Sequence, residues 1–243
     1  MPNDQPQMTG DTPEAPIRPA ATVVLVRRGR QGPEVLLLER NRHSTFVAGA
    51  HVFPGGGLDA ADQLPEIRQL CTAATASSDS QALAYRVAAI RESFEEAGVL
   101  LARTSAGSVL ESGIIGLAGE LERYRDALLQ GQTSLQEICR QQAWQLDTAS
   151  LHYYSRWITP PGQIRRYDTR FFVCEAPPGQ EGRACQRETV AHTWLTPGRA
   201  IDRWRKNEIS LVFPTAVTLQ ELADLDSVEA ILATARTRQS EEV

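Results

Sequence analysis

Several protein classes are excluded by what this chain has little of. Its 243 residues hold four cysteines, Cys71, Cys139, Cys174 and Cys185, far apart, with no CxxC pair and no matching histidine spacing. A zinc site is therefore not expected, and unpaired thiols in a reducing compartment are. No apolar run approaches the ~20 residues needed to span a bilayer, so no membrane-spanning helix is expected. The N-terminus shows no charged segment followed by an apolar one, so no secretory leader is expected. Basic residues are scattered in a chain of net charge −5, which argues against a nucleic-acid face working by bulk electrostatics but leaves room for a small pocket of arginines.

What is present reads as an ordinary globular protein, 42% hydrophobic and 23% charged, long enough to bury a proper core. Residues 1–18 are rich in Pro, Asp, Gln and Thr and are expected to be disordered, with order beginning at Ala20. Ala21–Val26 and Glu34–Glu39 are short apolar runs separated by Arg-Gly-Arg-Gln-Gly-Pro, which predicts two antiparallel strands joined by a loop. Their near-continuous hydrophobicity predicts a sheet covered on both faces. His51-Val52-Phe53-Pro54 then leads into Gly55-Gly56-Gly57, where glycine permits positive φ and close backbone approach to a ligand.

An acidic stretch follows, Arg91-Glu92-Ser93-Phe94-Glu95-Glu96-Ala97-Gly98-Val99. At about 100° per residue, Glu92, Glu95 and Glu96 fall within roughly 100° of one another, while Leu83, Val87, Ile90, Phe94 and Ala97 lie opposite. Like charges at such spacing repel by a few tenths of a kcal/mol per pair. A divalent cation reverses that sign, and magnesium takes such carboxylates together with substrate phosphate oxygens. Arg91, one turn before Glu95, is placed to orient it; Gly98 ends the helix. A solvated acidic face with a glycine stop is the alternative reading of these residues taken alone.

Further along, 62–82 is polar and reads as an inserted loop with a short helix at 64–71, and Asp79 or Ser80 is placed to cap the acidic helix. Between 116 and 145, apolar residues recur at three and four, predicting two helices that serve either as a lid or as core. Leu151–Trp157, Thr169–Cys174 and Thr189–Leu195 read as strands, Thr196-Pro197 as a helix start, and 214–223 and 227–236 as amphipathic helices. The last residues, from Arg238, are expected to fray.

Gly56, Asp62 and the run Arg91–Val99 resemble the Nudix box, Gx5Ex7REUxEExGU, of enzymes that hydrolyse nucleoside diphosphates linked to another moiety. Asp62 stands where the first Glu is usual, Ser93 where a bulky aliphatic residue is usual, and 28 residues rather than seven separate Asp62 from Arg91. Looping out such an insertion costs little. With Gly49–Asp62, Tyr85–Glu92, Trp157–Pro160 and Arg165–Phe172, the chain is similar over roughly 20–220 to the nucleoside diphosphate-linked moiety X motif 19 type.

That resemblance implies an α/β fold, the Nudix α/β/α sandwich with a mixed sheet and added helices. A Nudix hydrolase domain is expected over 19–236, with inserted segments at about 63–81 and 104–150 and a frayed 237–243. It implies a pyrophosphatase acting on coenzyme A or acyl-CoA to give 3′,5′-ADP and (acyl-)phosphopantetheine. The alternatives are an ADP-ribose, NADH or nucleotide-sugar pyrophosphatase, or an inactive Nudix-fold binding module. Mg²⁺ or Mn²⁺ would be held by Glu92, Glu95 and Glu96, with Glu92 either ligand or base, and Arg91 would position a carboxylate. Gly55 and Gly56 would let the loop pack against the helix. Glu188 is the further base expected from outside the box; His51 and His192 are expected to be structural. Arg40, Arg165, Arg166 and Arg170 are the candidates for binding the substrate phosphate. The partner is a small molecule, with neither nucleic acid nor membrane, and a homodimer is compatible. The C-terminal Glu241-Glu242-Val243 is unlike the peroxisomal Ser-Lys-Leu address, so a cytoplasmic location is expected.

Overall fold

The computed structural model describes residues 14–42, 48–72, 79–111 and 115–239. The expected tail before residue 14, the loop at 73–78 and the last four residues lie outside them.

β1 (Ile17–Gly29) and β2 (Gly32–Arg40) form the antiparallel hairpin, with Val26 opposite Val35 and Gly29 opposite Gly32. Order therefore begins at Ile17, earlier than the composition implied. The cause is pairing: Ile17 runs parallel to Arg166, and the match continues to Val26 opposite Glu175. The remaining elements are β3 (Ala50–Val52), β4 (Gly55–Gly57), α1 (Ser80–Ala97), β5 (Ala102–Arg103), α2 (Leu117–Leu129), α3 (Leu135–Gln142) and β6 (Gln145–Leu146). They are followed by β7 (His152–Ile158), β8 (Arg166–Glu175), β9 (Thr189–Leu195), α4 (Pro197–Arg205), β10 (Ser210–Leu211), α5 (Phe213–Leu222) and α6 (Val228–Arg238). Short 3₁₀ helices at Ala60–Gln63 and Pro65–Leu70 lead into the insertion and form its first part. Helix α6 runs through Arg238, where fraying was expected, and the Gln239 side chain accepts from the Tyr153 N–H at 3.0 Å.

The mixed sheet has the order β10-β3-β2-β1-β8-β7, with β4 added to β1 and β9 to β2. Strand alternation sends Ala21, Val23 and Leu25 into one core and Val24 and Val26 into the other. The first core holds the apolar side of α1, where Val87, Ile90, Phe94 and Ala97 are fully buried and Leu83 is nearly so. The second is closed by α4, α5 and α6 through Ile201, Leu219 and Ile231. Both faces are covered, which explains the unbroken hydrophobicity of β1 and β2.

Helices α2 and α3 place Leu117, Leu121, Leu135, Ile138 and Cys139 in the same core as α1. Of the two readings of 116–145, lid and core, the structure gives core. All four cysteines are unpaired, three of them buried. Among the described residues no helix is long and apolar enough to cross a membrane.

Candidate active site

Both ends of α1 are fixed locally. Asp79 caps the start, accepting from Gln81 N at 3.1 Å and Ala82 N at 3.3 Å. Gly98 ends it in the left-handed region at φ 69°, its N–H donating to Phe94 O at 2.9 Å while Val99 N donates to Ser93 O at 3.3 Å. Ser93, the unusual residue of the run, is fully buried and donates its hydroxyl to Val99 O at 2.9 Å, so it ties the chain beyond the helix to its last turn.

The glycine loop meets this helix edge-on. Strand β4 pairs with β1, setting Gly57 opposite Ala20, Gly56 opposite Ala21 and Gly55 opposite Thr22. None of the three glycines adopts positive φ. Space is what they supply: a Cβ at Gly56 would lie 2.4 Å from Glu92 Oε1, and one at Gly55 would lie 2.5 Å from Ala21 O. The Gly55 N–H in turn donates to Glu96 Oε2 at 3.0 Å.

Arg91 is the hub. Its Nε donates to Asp62 Oδ1 at 3.1 Å and its Nη2 to Asp62 Oδ2 at 3.0 Å, a bidentate pair with a carboxylate that has no exposed surface. Nη2 also donates to Gly57 O at 2.7 Å, while Nη1 donates to Glu92 Oε1 at 2.9 Å and Glu95 Oε2 at 3.2 Å. Every guanidinium N–H is used. Asp62 is held by the Asp59 N–H at 2.8 Å, so the shorter acid in the first Glu position anchors Arg91 from the 3₁₀ turn.

Burial raises the carboxyls of this cluster. Glu92 is pushed up to about 7 by burial, with Arg91 pulling it down and Glu95 pushing it up. Glu96 is pushed up to about 8 by burial and by Glu92, against the Gly55 N–H and Arg40. Glu95 and Asp62 are also raised, first by burial. Burial alone would lower Arg91; its bonds to Asp62 and the charges of Glu92, Asp62 and Glu95 outweigh that and raise it. Three acids held this close resist simultaneous ionisation without a further cation.

The donors at the cluster are all oxygens, which suits a hard divalent cation. Among the described residues no three acids close on one point at ligand distance, because Glu92 and Glu95 are both turned onto Arg91. A cation would therefore take these carboxylates in competition with that guanidinium.

Two more of the expected residues join the cluster. Arg40, at the end of β2, lies 3.9 Å from Glu188 across a bulge between Glu39 and Arg40, and Asn41 N donates to Glu188 O at 2.8 Å. The charges of Arg40 and Glu188 both bear on Glu96. Arg40 Nε is buried without a hydrogen-bond partner.

The other three arginines do not converge there. Arg166 donates to Thr159 O at 3.1 Å and pairs with Glu14 at 2.5 Å; Arg170 stacks on Tyr85 at 4.1 Å; Arg165 is exposed in the turn before β8. Strand β8 lies across β1 from β4, and with strands ~4.8 Å apart that is ~10 Å from the glycine loop. His51 is lowered by burial, against the charge of Glu39 and with that of Arg203, and His192 is exposed on β9; neither meets the carboxylates.

Three groups that the sequence reading did not single out cap the end of α1. Arg125 donates Nε and Nη2 to Glu95 O at 3.1 and 2.9 Å, Thr189 Oγ1 donates to Glu96 O at 3.2 Å, and Arg183 N donates to Ala97 O at 2.6 Å. Arg125 carried one signal: it sits between Leu121 and Leu128 on the apolar stripe of its helix, where a charge is out of place.

Comparison with known proteins places these features in a family. The family model of the NUDT19 Nudix domain matches residues 72–222. The human protein named acyl-coenzyme A diphosphatase NUDT19 is 32% identical over 238 residues, 82% of this chain and 62% of that protein. The chicken protein of the same name is 32% identical over 262 residues, covering 87% and 69%. The match thus spans less than two thirds of the human relative's length. A NUDIX hydrolase crystal structure from Alicyclobacillus acidocaldarius superposes with a TM-score of 0.74 at 29% identity, covering 90% of this chain and 97% of that one.

Proposed function

This chain belongs to the NUDT19 Nudix family, and from that premise we propose that it is a metal-dependent diphosphatase of coenzyme A and acyl-CoA. The reaction would release 3′,5′-ADP and phosphopantetheine or its acyl form. The observation that carries the reading is the Arg91 hub, which fixes Asp62, Glu92 and Glu95 against a glycine loop whose N–H holds Glu96. The names of the human and chicken relatives supply the substrate class.

Glu92, Glu95 and Glu96 would hold Mg²⁺ or Mn²⁺, which when bound neutralises diphosphate charge and lowers the pKa of attacking water. The chain's own residues do the rest. Arg91 holds Glu92 and Glu95 side by side on one edge of the helix, so a cation has only to draw their oxygens from the guanidinium rather than gather them from apart. The glycine loop leaves a wall without side chains beside Glu92. Glu188 is exposed, adjoins the cluster and is free to accept the proton of the attacking water. Arg40, with an unpartnered Nε, supplies positive charge beside the same acids. Of the four arginines considered for the phosphate, Arg40 is the one this mechanism uses.

The test is to incubate purified protein with CoA, an acyl-CoA, ADP-ribose and NADH under Mg²⁺ or Mn²⁺, beside Glu95→Gln, and to separate the products. Release of 3′,5′-ADP from CoA by the wild type alone supports the reading. Cleavage of ADP-ribose or NADH but not CoA would keep the chemistry and overturn the substrate.

A further inference from the structure

The last turn of an α-helix leaves carbonyls that its own N–H groups cannot reach. In α1 these belong to the residues that carry the site. Phe94 O is taken by the Gly98 N–H, which leaves Glu95, Glu96 and Ala97. Each of those carbonyls is met from a different segment outside the helix: Arg125 of α2, Thr189 at the start of β9 and the Arg183 N–H.

Arg125 stands apart among the three. It is 8% exposed, and its hydrogen bonds in the described structure both end on the one oxygen of Glu95. Among the described residues the carboxylates whose charge bears on it, Asp126 and Glu122, make no hydrogen bond to it; Glu122 is taken by Arg183. It packs over the C-cap, where a Cβ at Gly98 would come within 3.0 Å of its Nη1. Burying a guanidinium is costly unless its charge is used, and a methionine would fill this place on the apolar stripe of α2. The use is at hand: the C-terminal end of a helix carries about half a negative charge. Two acids of the cluster sit in that same last turn, so Arg125 offsets the like-signed end of the helix.

From this geometry we infer that Arg125 is a positioning residue. By clamping Glu95 O it fixes the last turn of α1, and with it the places of the Glu95 and Glu96 carboxylates. The inference rests on the proposed function for its kinetic consequence, but its metal consequence reads independently. Arg125 also lines a cavity of about 390 Å³ between α2 and the 179–186 loop, so truncating it opens space continuous with that cavity. A free guanidinium ion fits such a space.

The experiment measures Mn²⁺ binding by electron paramagnetic resonance, together with kcat and KM for CoA, in the wild type, Arg125→Met, Arg125→Lys and Arg125→Ala. Second-sphere losses run ~10–100-fold in metal affinity or activity. Arg125→Met is expected to weaken Mn²⁺ binding and lower kcat by that much with KM within about twofold, Arg125→Lys to fall between, and guanidinium ion to restore part of both in Arg125→Ala. A folded Arg125→Met that melts earlier yet keeps wild-type Mn²⁺ affinity and kcat overturns the inference, because packing alone would then explain the residue. If Arg125→Met does not fold, Arg125→Lys with unchanged Mn²⁺ affinity and kcat overturns it equally. A wild type that binds Mn²⁺ but cleaves no diphosphate sinks the proposed function and leaves the metal arm to decide this inference. A wild type that binds no Mn²⁺ sinks both.

Discussion

Asp62 and Arg91, 29 positions apart, grip each other by two parallel hydrogen bonds of 3.1 and 3.0 Å, the aspartate without exposed surface and the arginine nearly so. The pair closes the neck of the insertion: what the chain loops out between them returns to one fixed point. The Nudix pattern survives its interruption because the interruption is pinned at its base.

Removing Asp62 leaves Arg91 partly uncompensated and buried. Breaking one partner of a buried pair costs about 3–5 kcal/mol, so Asp62→Ala should lower stability to urea by that order and abolish turnover. Asp62→Asn keeps the shape without the charge and should lose less stability. Equal stability of wild type and Asp62→Ala by urea titration would refute the anchoring role.

The raised carboxyls give a pH dependence with a definite sign. Glu92 and Glu96 are held near 7 and 8, above the ordinary 4.5 of an unfolded glutamate. Between these values the folded chain binds more protons than the unfolded one, so stability without metal falls as pH rises from about 4.5 to 8. Bound Mg²⁺ favours the ionised acids, so it should flatten that fall and bind more tightly as pH rises. Thermal melts with EDTA and with Mg²⁺ across this range check both slopes.

Gly55 and Gly56 are neighbours with opposite sensitivities. A Cβ at 55 meets main chain, 2.5 Å from Ala21 O and 2.8 Å from Thr22 Cα, whereas one at 56 meets the Glu92 carboxyl at 2.4 Å. Gly55→Ala should therefore cost stability, ~1–3 kcal/mol as overpacking does. Gly56→Ala should leave the fold near wild type but displace Glu92, and a ~1 Å misplacement is worth ~10²-fold in rate. Denaturation and kcat for the two variants should separate cleanly; a stable, fully active Gly56→Ala would contradict the role given to Glu92.

How much of this was legible in the sequence depended on distance along the chain. Helix α1 was readable because period, N-cap and glycine stop all lie within it. The fate of the arginines was not, because Arg166 and Arg170 are claimed by Thr159, Glu14 and Tyr85, contacts made by folding rather than by spacing. Ser93 looked like a departure from the family pattern, and only the return of Val99 O to its hydroxyl shows why a small donor stands there. Ile17 was assigned to a disordered tail because composition is blind to a parallel partner some 150 residues away.

Glu188 separates catalysis from stability most sharply. Its side chain is 68% exposed and its contact to Arg40 is 3.9 Å, an arrangement worth ~0–1 kcal/mol at most. Glu188→Gln should leave the unfolding free energy within ~0.5 kcal/mol of wild type, as surface changes do. As the proton acceptor, its loss should lower kcat by ~10²–10⁴-fold with KM little changed. A change in KM alone would instead assign it to substrate binding, and the base would have to be sought at Glu92, the acid whose raised pKa already lies nearest neutrality.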